Sequence, residues 1–342
     1  MTRRTLTLLL ASLLALGLAL AGSWATVPYV TLKPGPAFDT LGKDGSTDVI
    51  TATGAATHAR SGHLELTTVS VADHVTLFEA LVGWLSPSDA VLPREVVYPP
   101  TQTTQQTDQQ NVVAMEQSQD SATTVALKEL GYPGTTVVYV VSVNKGAPAD
   151  GQLKDGDELT SIDGTAVTGT TQLRTLVSGR KPGNPVRVGF RRDNKPQVVT
   201  LTTAEAGDGT HRPIIGVQLG TRTNFAVKVH ITLTNVGGPS AGLMFSLGII
   251  DKLGPVDLTG GLNIAGTGEI HDDGTVGAIG GIAQKMRGAK AMGATVFLSP
   301  AENCPEAKKT RPSGITLIKV TTLHSALEAL ADLRAGRAAP GC

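Results

Sequence analysis

The sequence lacks the short motifs that indicate metal or nucleotide chemistry. None of its seven histidines belongs to an H-E-x-x-H pattern, no C-x-x-C pair occurs, and there is no Walker A sequence. The sequence therefore predicts no metal, no cofactor and no use of ATP. With 29 basic and 29 acidic residues, the net charge is +0. The chain thus has no positive excess of the kind that binds phosphate, and no nucleic-acid partner is expected.

Cysteine is also scarce, since only Cys304 and Cys342 occur. In an oxidising compartment they can pair. A bridge would tie the tail after a predicted helix (His324–Arg337) to the loop that follows a predicted strand (Thr295–Leu298). Two free thiols are the alternative.

Charge is nearly absent from residues 1–32, where only Arg3 and Arg4 carry it. Leu6–Val30 is almost unbroken apolar sequence, long enough at about 1.5 Å per residue to cross a roughly 30 Å hydrocarbon core. The pattern predicts a cytoplasmic tip and a single transmembrane anchor in the cell membrane, with the rest of the chain extracytoplasmic. The alternative is a cleaved signal peptide with its processing site near Ala19–Ala21.

The segment Gly237–Gly242 has the features of a nucleophile loop. Ser240 lies among glycines, where the backbone can turn sharply and present N–H groups to an oxyanion. The apolar run Leu243–Ile250 that follows predicts a buried helix. A serine needs a base to take its proton, and a lysine with a lowered pKa can be that base.

Lys285 is the candidate base. Residues 281–294 have helical spacing, and Lys285 shares the apolar face of that helix with Ile282 and Met286, whereas Arg287 and Lys290 point elsewhere. A lysine on an apolar face has an ordinary alternative role, in which its stem covers the core and its ammonium reaches water.

Four blocks in order resemble the proteolytic domain of the Lon proteases, which are Ser-Lys peptidases. They are the Gly238–Gly242 motif, a Thr-Gly-Glu-Ile at Thr267–Ile270, a glycine-rich turn with lysine at Val276–Lys285, and a strand at Ala294–Pro300. The resemblance implies Ser240 as nucleophile, Lys285 as general base and Thr267 as the hydroxyl that orients the lysine, with Gly238 and Gly237 supporting the loop. Gly237 departs from the Asp usual in ATP-dependent members. The resemblance also implies a possible homo-oligomer, a hexamer.

Gly238–Gly242 also fits G-x-S-x-G, the nucleophile elbow of α/β-hydrolase esterases. Such an enzyme would take its acid from Asp257, Asp272 or Asp273 and its base from His324. The chain on either side of Ser240 is too short for that fold, which usually exceeds roughly 200 residues.

The pattern of residues 33–120 predicts a β-rich region followed by a Gln-rich loop or linker at Thr101–Asn111, and helical spacing begins again at Val113. No chemistry is assigned to these residues. Residues 121–205 are similar to a bacterial PDZ domain. The segments that carry this resemblance are the Ala147–Ala149 turn, Leu153–Asp157 and Ile162–Gly164. That resemblance implies a groove for extended peptides, walled by a helix at Thr171–Val177, with its binding loop near Tyr132–Thr136. A PDZ fold that only acts as a spacer is the alternative.

Together the patterns predict an α+β multidomain protein with an N-terminal transmembrane helix, a PDZ-like β-rich domain and a Lon-type α/β proteolytic domain at residues 208–342. The predicted function is a membrane-anchored, extracytoplasmic, ATP-independent serine endopeptidase that acts on protein or peptide substrates. The alternative from another class is a catalytically inactive PDZ scaffold.

Overall fold

The computed structural model describes residues 3–207 and 209–342. The chain divides into two compact units, one formed by residues up to 131 together with 227–342, and the other by residues 132–226. The first unit is therefore discontinuous in sequence, and the second is inserted into it.

Helix α1 (Arg3–Trp24) is the first element of the chain. By length and composition it is the one helix in the described part of the chain that could cross a membrane. At about 1.5 Å per residue its 22 residues extend about 33 Å.

The first unit contains one six-stranded sheet, three two-stranded pairs and eight α-helices in its described residues. Its strands are β1 (Tyr29–Asp39), β2 (Lys43–Asp44), β3 (Thr47–Asp48), β4 (Ile50–Thr53), β5 (His63–Ala72) and β6 (Ala90–Pro93), and after the second unit β15 (Lys228–Ile231), β16 (Asn263–Gly266), β17 (Glu269–Ile270), β18 (Val276–Gly277), β19 (Val296–Pro300) and β20 (Thr316–Val320). Besides α1, its helices are α2 (Leu77–Leu85), α3 (Arg94–Val97), α4 (Thr104–Glu129), α6 (Gly242–Leu253), α7 (Ile282–Ala291), α8 (Cys304–Thr310) and α9 (Leu323–Arg334).

The main sheet has the order β20-β19-β16-β5-β1-β6. Strand β5 joins its two halves, because it pairs antiparallel with β1 on one side and parallel with β16 on the other. The predicted separate β-rich region at 33–120 is therefore part of the same sheet as the strands of the predicted 208–342 domain. No local pattern reveals this pairing, since the partners lie 200 residues apart, as with Glu65 and Ala265.

Helix α6 is the centre of the first unit. The predicted helix at Leu243–Ile250 is this element, and all its residues except Lys252 are buried. Helix α4 packs along it, with Ala122, Ala126 and Leu127 buried at the contact side. A helix that is apolar on all its faces must be packed against other elements on every side, and α4 supplies one of these contacts.

The Gln-rich stretch is not a linker, because α4 begins at Thr104 and continues to Glu129. The helix starts at a capping box, in which the Thr103 side chain accepts from the Gln106 N–H and the Gln106 side chain accepts from the Thr103 N–H. Glutamine is a good helix former, and the apolar positions of the later turns anchor the polar first turns.

The second unit contains a sheet with five strands in its main order and one α-helix. Its elements are β7 (Gly134–Val143), β8 (Glu158–Ile162), β9 (Thr165–Ala166), α5 (Thr170–Ser178), β10 (Pro185–Arg192), β11 (Lys195–Thr202), β12 (Ala204–Glu205), β13 (Pro213–Ile214) and β14 (Val217–Phe225). The main order is β11-β10-β8-β7-β14, and β9 pairs with β8. A single apolar core fills it, including Val138, Leu159, Leu173 and Phe190.

The unit boundaries differ from the predicted 121–205. Residues 121–130 continue helix α4 on the first unit, and β14 belongs to the second unit, because it pairs with β7 from Val217 to Phe225. The same pairing corrects the predicted binding loop at Tyr132–Thr136, since Gly134–Thr136 lie inside the β7–β14 ladder.

A groove of about 880 Å³ instead lies beside α5, bordered by residues 212–219. Strand β14 is the last strand of the sheet path, so its side away from β7 has no strand partner among the described residues. This edge is the place where an extended peptide could add as a further strand.

Cys304 and Cys342 form a disulfide with a Cα–Cα distance of 5.3 Å. The carboxyl-terminal tail also pairs with β20 through Ile318 and Gly341, and the Lys319 N–H donates to the Pro340 carbonyl at 2.9 Å. The tail is thus held against the sheet both by the bond and by backbone pairing.

Replacing Cys342 with serine should lower the free energy of unfolding by about 2–4 kcal/mol, because the bond closes a long loop in the unfolded chain. Urea unfolding of the parent and of Cys342→Ser, both without reductant, measures this. If both cysteines of the unreduced, denatured parent react with a thiol reagent, the bond is absent and the prediction is contradicted.

Candidate active site

Ser240 is presented by a tight loop before α6. Gly238 has φ +85°, which is the left-handed region that favours glycine, and a side chain there would be strained. Ala241 then precedes the first residue of α6, so the backbone at Ser240 lies next to a helix N-terminus. This geometry places the Ser240 N–H and the positive end of the helix close to the hydroxyl.

Lys285 meets Ser240 from helix α7, the element predicted from the spacing of residues 281–294. Its Nζ lies 2.6 Å from Ser240 Oγ and 2.9 Å from Thr267 Oγ1. The residue is only 3% exposed, so the alternative role, with the ammonium in water, does not describe it. The structure brings together all three polar side chains predicted for the site.

Burial lowers the pKa of Lys285 from 10.5 to about 7. The cause is desolvation, which penalises the ammonium form. A lysine in this environment is substantially neutral at neutral pH, and a neutral amine can accept a proton from the neighbouring serine hydroxyl.

Thr267 follows β16 and fixes the lysine. Its Oγ1 donates to the Ser240 carbonyl at 3.0 Å, so the same oxygen is free to accept from the Lys285 amine. The Gly268 N–H donates to that carbonyl as well, at 2.9 Å. The segment after β16 therefore holds both the serine backbone and the lysine side chain.

Helix α4 supports the other side of the nucleophile loop. The Gly238 N–H donates to the Asn111 carbonyl at 2.8 Å, and Ser118 Oγ donates to the Pro239 carbonyl at 2.9 Å. A Cβ at Gly237 would lie 3.1 Å from Asn111 Cβ, closer than normal van der Waals contact. A glycine at this position thus fits the close passage of α4.

A cleft of about 620 Å³ opens over Ser240 and Lys285. It is lined by residues 66–71 of β5, by Met115 of α4, by the loop 235–241 and by the glycine-rich turn 278–280. No chemistry is predicted from sequence for residues 33–120, yet β5 and α4 form two walls of this cleft. The capping box of α4 was a local signal for the helix, whereas nothing local placed β5 beside Ser240.

Part of β5 has a free edge in the cleft. Residues 63–66 pair with β16, but residues 67–72 have no strand partner on that side within the described chain, although β1 pairs with them on the other side. Backbone groups of Thr68–Val71 therefore face the cleft beside the serine. An exposed edge of this kind can pair with an extended chain.

The acid and base of the esterase alternative lie elsewhere. His324 contacts Glu129 at 3.2 Å, Asp272 accepts from Ser121, and Asp257 accepts from Ser61 and Thr259. None of these side chains hydrogen-bonds to Ser240. Among residues 3–207 and 209–342, no group of three His, Cys, Asp or Glu side chains could hold a metal ion.

Two family models match the chain. One describes the PDZ domain and matches residues 108–203. The other describes the Lon protease (S16) C-terminal proteolytic domain and matches residues 210–331. Neither model describes an ATPase domain.

Solved structures are similar over a quarter of the chain. The PDZ domain of the SdrC-like protein of Listeria monocytogenes is 29% identical over 24% of this chain and 85% of its own, with a TM-score of 0.23. A protein of Geobacillus thermodenitrificans is 33% identical over 24% of this chain and 94% of its own, also with a TM-score of 0.23. No curated protein matches. On the two family models, the chain combines a PDZ domain with a proteolytic domain of the Lon (S16) type, which is a serine-type peptidase domain.

Proposed function

We propose that this protein is a membrane-anchored, extracytoplasmic serine endopeptidase that works without ATP and uses Ser240 and Lys285 as its catalytic dyad. The observation that carries the proposal is the buried Lys285 amine, 2.6 Å from the Ser240 hydroxyl with its pKa lowered to about 7.

In the first step, neutral Lys285 takes the Ser240 proton while Ser240 Oγ attacks the carbonyl carbon of a peptide bond. Thr267 keeps the amine directed at the serine, because its Oγ1 accepts from Lys285. The resulting ammonium then gives its proton to the leaving amine, and the C–N bond breaks. Water, deprotonated by the same lysine, hydrolyses the acyl-enzyme and releases Ser240.

The oxyanion would be held by backbone N–H groups at the nucleophile loop. The Gly238 N–H is already used by the Asn111 carbonyl. Within the described residues the N–H groups of Ser240 and Ala241 donate no backbone hydrogen bond, and they lie beside the α6 N-terminus. The substrate would pair as a strand with the free edge of β5 at residues 67–72, which places its carbonyls beside Ser240.

The PDZ domain would recruit protein or peptide chains through the free edge of β14 beside α5. Because no ATPase accompanies the proteolytic domain in these matches, substrates would arrive unfolded or with an exposed flexible segment. A hexamer, implied by the Lon resemblance, would bring several such clefts together.

The membrane part of the proposal rests on α1 and on the disulfide. The 22-residue apolar helix has Arg3 and Arg4 at its start, and by the positive-inside tendency the remainder of the chain would lie outside the cytoplasm. A Cys304–Cys342 bond is in keeping with an oxidising compartment.

The test is cleavage of an unfolded protein by the full chain in detergent micelles. Casein is incubated with the parent and with Ser240→Ala, and the products are identified by mass spectrometry. We expect cleavage by the parent alone. Cleavage by both would assign the activity to another nucleophile or a contaminant.

If neither protein cleaves casein, peptides ending in a free carboxylate are added to occupy the PDZ groove. Cleavage that then appears only in the parent supports a gated peptidase. Continued absence of cleavage together with peptide binding favours the inactive PDZ scaffold.

A further inference from the structure

Helix α2 has the opposite arrangement from an ordinary surface helix. Its small residues Ala80 and Gly83 are buried against the protein, and a Cβ at Gly83 would lie 2.7 Å from a methyl group of Val91. Its large apolar side chains point outward. Those that are exposed are Leu77, Phe78, Leu81, Val82, Trp84 and Leu85, the last of them 86% exposed.

Such a surface is costly in water, and contiguous exposed apolar patches mark binding surfaces. Glu79 is the one charged residue of the helix. Its carboxylate is engaged at the helix start, where it accepts from the Thr76 N–H at 2.8 Å and from the Thr76 hydroxyl at 2.9 Å. The remainder of the outward face offers only hydrocarbon and one indole ring.

The start of α2 is bonded to the chain that leaves α1. The Leu77 N–H donates to the Ala25 carbonyl at 2.9 Å, and the Val27 N–H donates to the Val75 carbonyl at 2.9 Å. Thr26 and Thr76 form a β-bridge between these two contacts. Because Ala25 directly follows α1, the position of α1 in a bilayer would fix the position of α2.

We propose that α2 lies in the membrane, with its outward face at the boundary between lipid headgroups and acyl chains. The proposal rests on the anchoring of α1 under the proposed function, and it adds a second contact that seats the proteolytic unit on the bilayer. Lipid is the occupant, because the face is continuous with the end of the anchor helix. Its composition, apolar with an exposed tryptophan, is that of interfacial segments.

Trp84 also has the position expected of an interfacial anchor. Its ring packs edge-on against Tyr29 with a centroid distance of 5.6 Å, while 55% of the residue stays exposed. One side is thus fixed to the protein and the other is available to lipid. Tryptophan and tyrosine concentrate at the membrane–water interface.

The chain's two tryptophans make a direct test possible, since Trp24 and Trp84 can be studied one at a time. The full chain with Trp24→Phe is reconstituted in phosphatidylcholine vesicles whose acyl chains carry bromine near the headgroup or near the chain end. We expect bromine near the headgroup to reduce Trp84 emission by about half, and deep bromine to reduce it less, as for a helix in the interface.

Two further variants supply a perturbation and its matched control. Leu85→Asp places a charge on the proposed lipid face at a side chain that is 86% exposed, and it should lower the quenching of Trp84. Val198→Asp changes an exposed apolar side chain, 62% exposed, on β11 of the second unit, and it should leave the quenching unchanged. Equal quenching in both variants would contradict the lipid contact.

Other outcomes separate this inference from the anchor itself. Trp84→Phe leaves Trp24 at the end of α1, and quenching of Trp24 without quenching of Trp84 would overturn the proposal while the anchor stands. If aqueous acrylamide quenches Trp84, the outward face of α2 lies in water. If neither acrylamide nor brominated lipid quenches Trp84, a second copy of the chain covers that face. Quenching of neither tryptophan by bromine would overturn the anchor, and the α2 contact with it.

Discussion

Replacing Lys285 with arginine is expected to lower kcat for peptide cleavage at least about 10³-fold, because the guanidinium stays protonated and cannot take the Ser240 proton. Lysine and arginine have similar length and the same charge. The substitution therefore replaces an amine that can lose its proton with a guanidinium that cannot, on a side chain of similar length. Cleavage of a single-bond fluorogenic peptide by the full chain in detergent gives kcat and KM.

The matched control is Lys290→Arg on the same helix, where the lysine is exposed and has no place in the site. We expect it to keep the parent activity. Circular dichroism of Lys285→Arg should match that of the parent, so that a loss of folding is not taken for a loss of chemistry. A folded Lys285→Arg variant with near-parent kcat would remove Lys285 from the mechanism.

Lys285→Met is expected to abolish cleavage and at the same time to stabilise the fold by about 2–4 kcal/mol near neutral pH, because burying the amine is unfavourable. The pKa of Lys285 is about 7 in the folded protein instead of 10.5. Each unit of lowering corresponds to about 1.4 kcal/mol. Methionine fills a similar volume without a group that must lose its proton.

The pH dependence of stability follows from the direction in which folding changes the Lys285 pKa, which is downward. Between pH 7 and 10.5 the unfolded chain holds a proton on Lys285 that the folded chain has lost, so the parent gains stability from this residue as pH rises. The gain in the free energy of unfolding of Lys285→Met over the parent should therefore be largest at and below about pH 7 and should disappear near pH 10.5.

Urea unfolding of the parent and of Lys285→Met at pH 7 and at pH 10 measures this difference. Lys290→Met again serves as the control, because an exposed lysine carries no burial penalty, and it should change stability little at either pH. A Lys285→Met variant less stable than the parent at pH 7 would show that the amine stabilises the fold, contrary to the burial argument.

The sequence predicted the parts of the site that depend on local pattern. The apolar run after Ser240 and the helical spacing around Lys285 gave α6 and α7, with bounds close to those observed. The meeting of Ser240 and Lys285 does not follow from their spacing of 45 positions. It depends on the turn after β16, where Thr267 and Gly268 bond to the Ser240 carbonyl.

The missed features are those set by long-range packing. β5 forms a cleft wall because it pairs with β16, and the groove of the second unit is bordered by β14 because that strand closes the sheet beyond β7. Neither pairing has a signature within a short window of sequence. The loop or linker predicted at Thr101–Asn111 from its glutamine-rich composition is wrong, because the Thr103–Gln106 capping box starts α4 there.

The close contact of α4 with the nucleophile loop gives the departure at Gly237 a physical reason. The helix carbonyl of Asn111 holds the Gly238 N–H, and the space beside Gly237 is taken by the Asn111 side chain. A side chain at position 237 would press its Cβ against Asn111, which would have to shift by a few tenths of an ångström. Contact with this helix thus supports the loop at the position where the Lon resemblance leads one to expect an aspartate.

The measurement that tests the central claim most directly is the pH profile of kcat/KM, recorded for one peptide bond between pH 5.5 and 9.5. Because kcat/KM reports the essential groups of the free enzyme, a neutral Lys285 base predicts a rising limb with a midpoint near 7, with activity falling about tenfold per pH unit below it. A profile that is flat across this range, or that rises only near the ordinary lysine pKa of 10.5, would contradict a buried Lys285 acting as the base for Ser240.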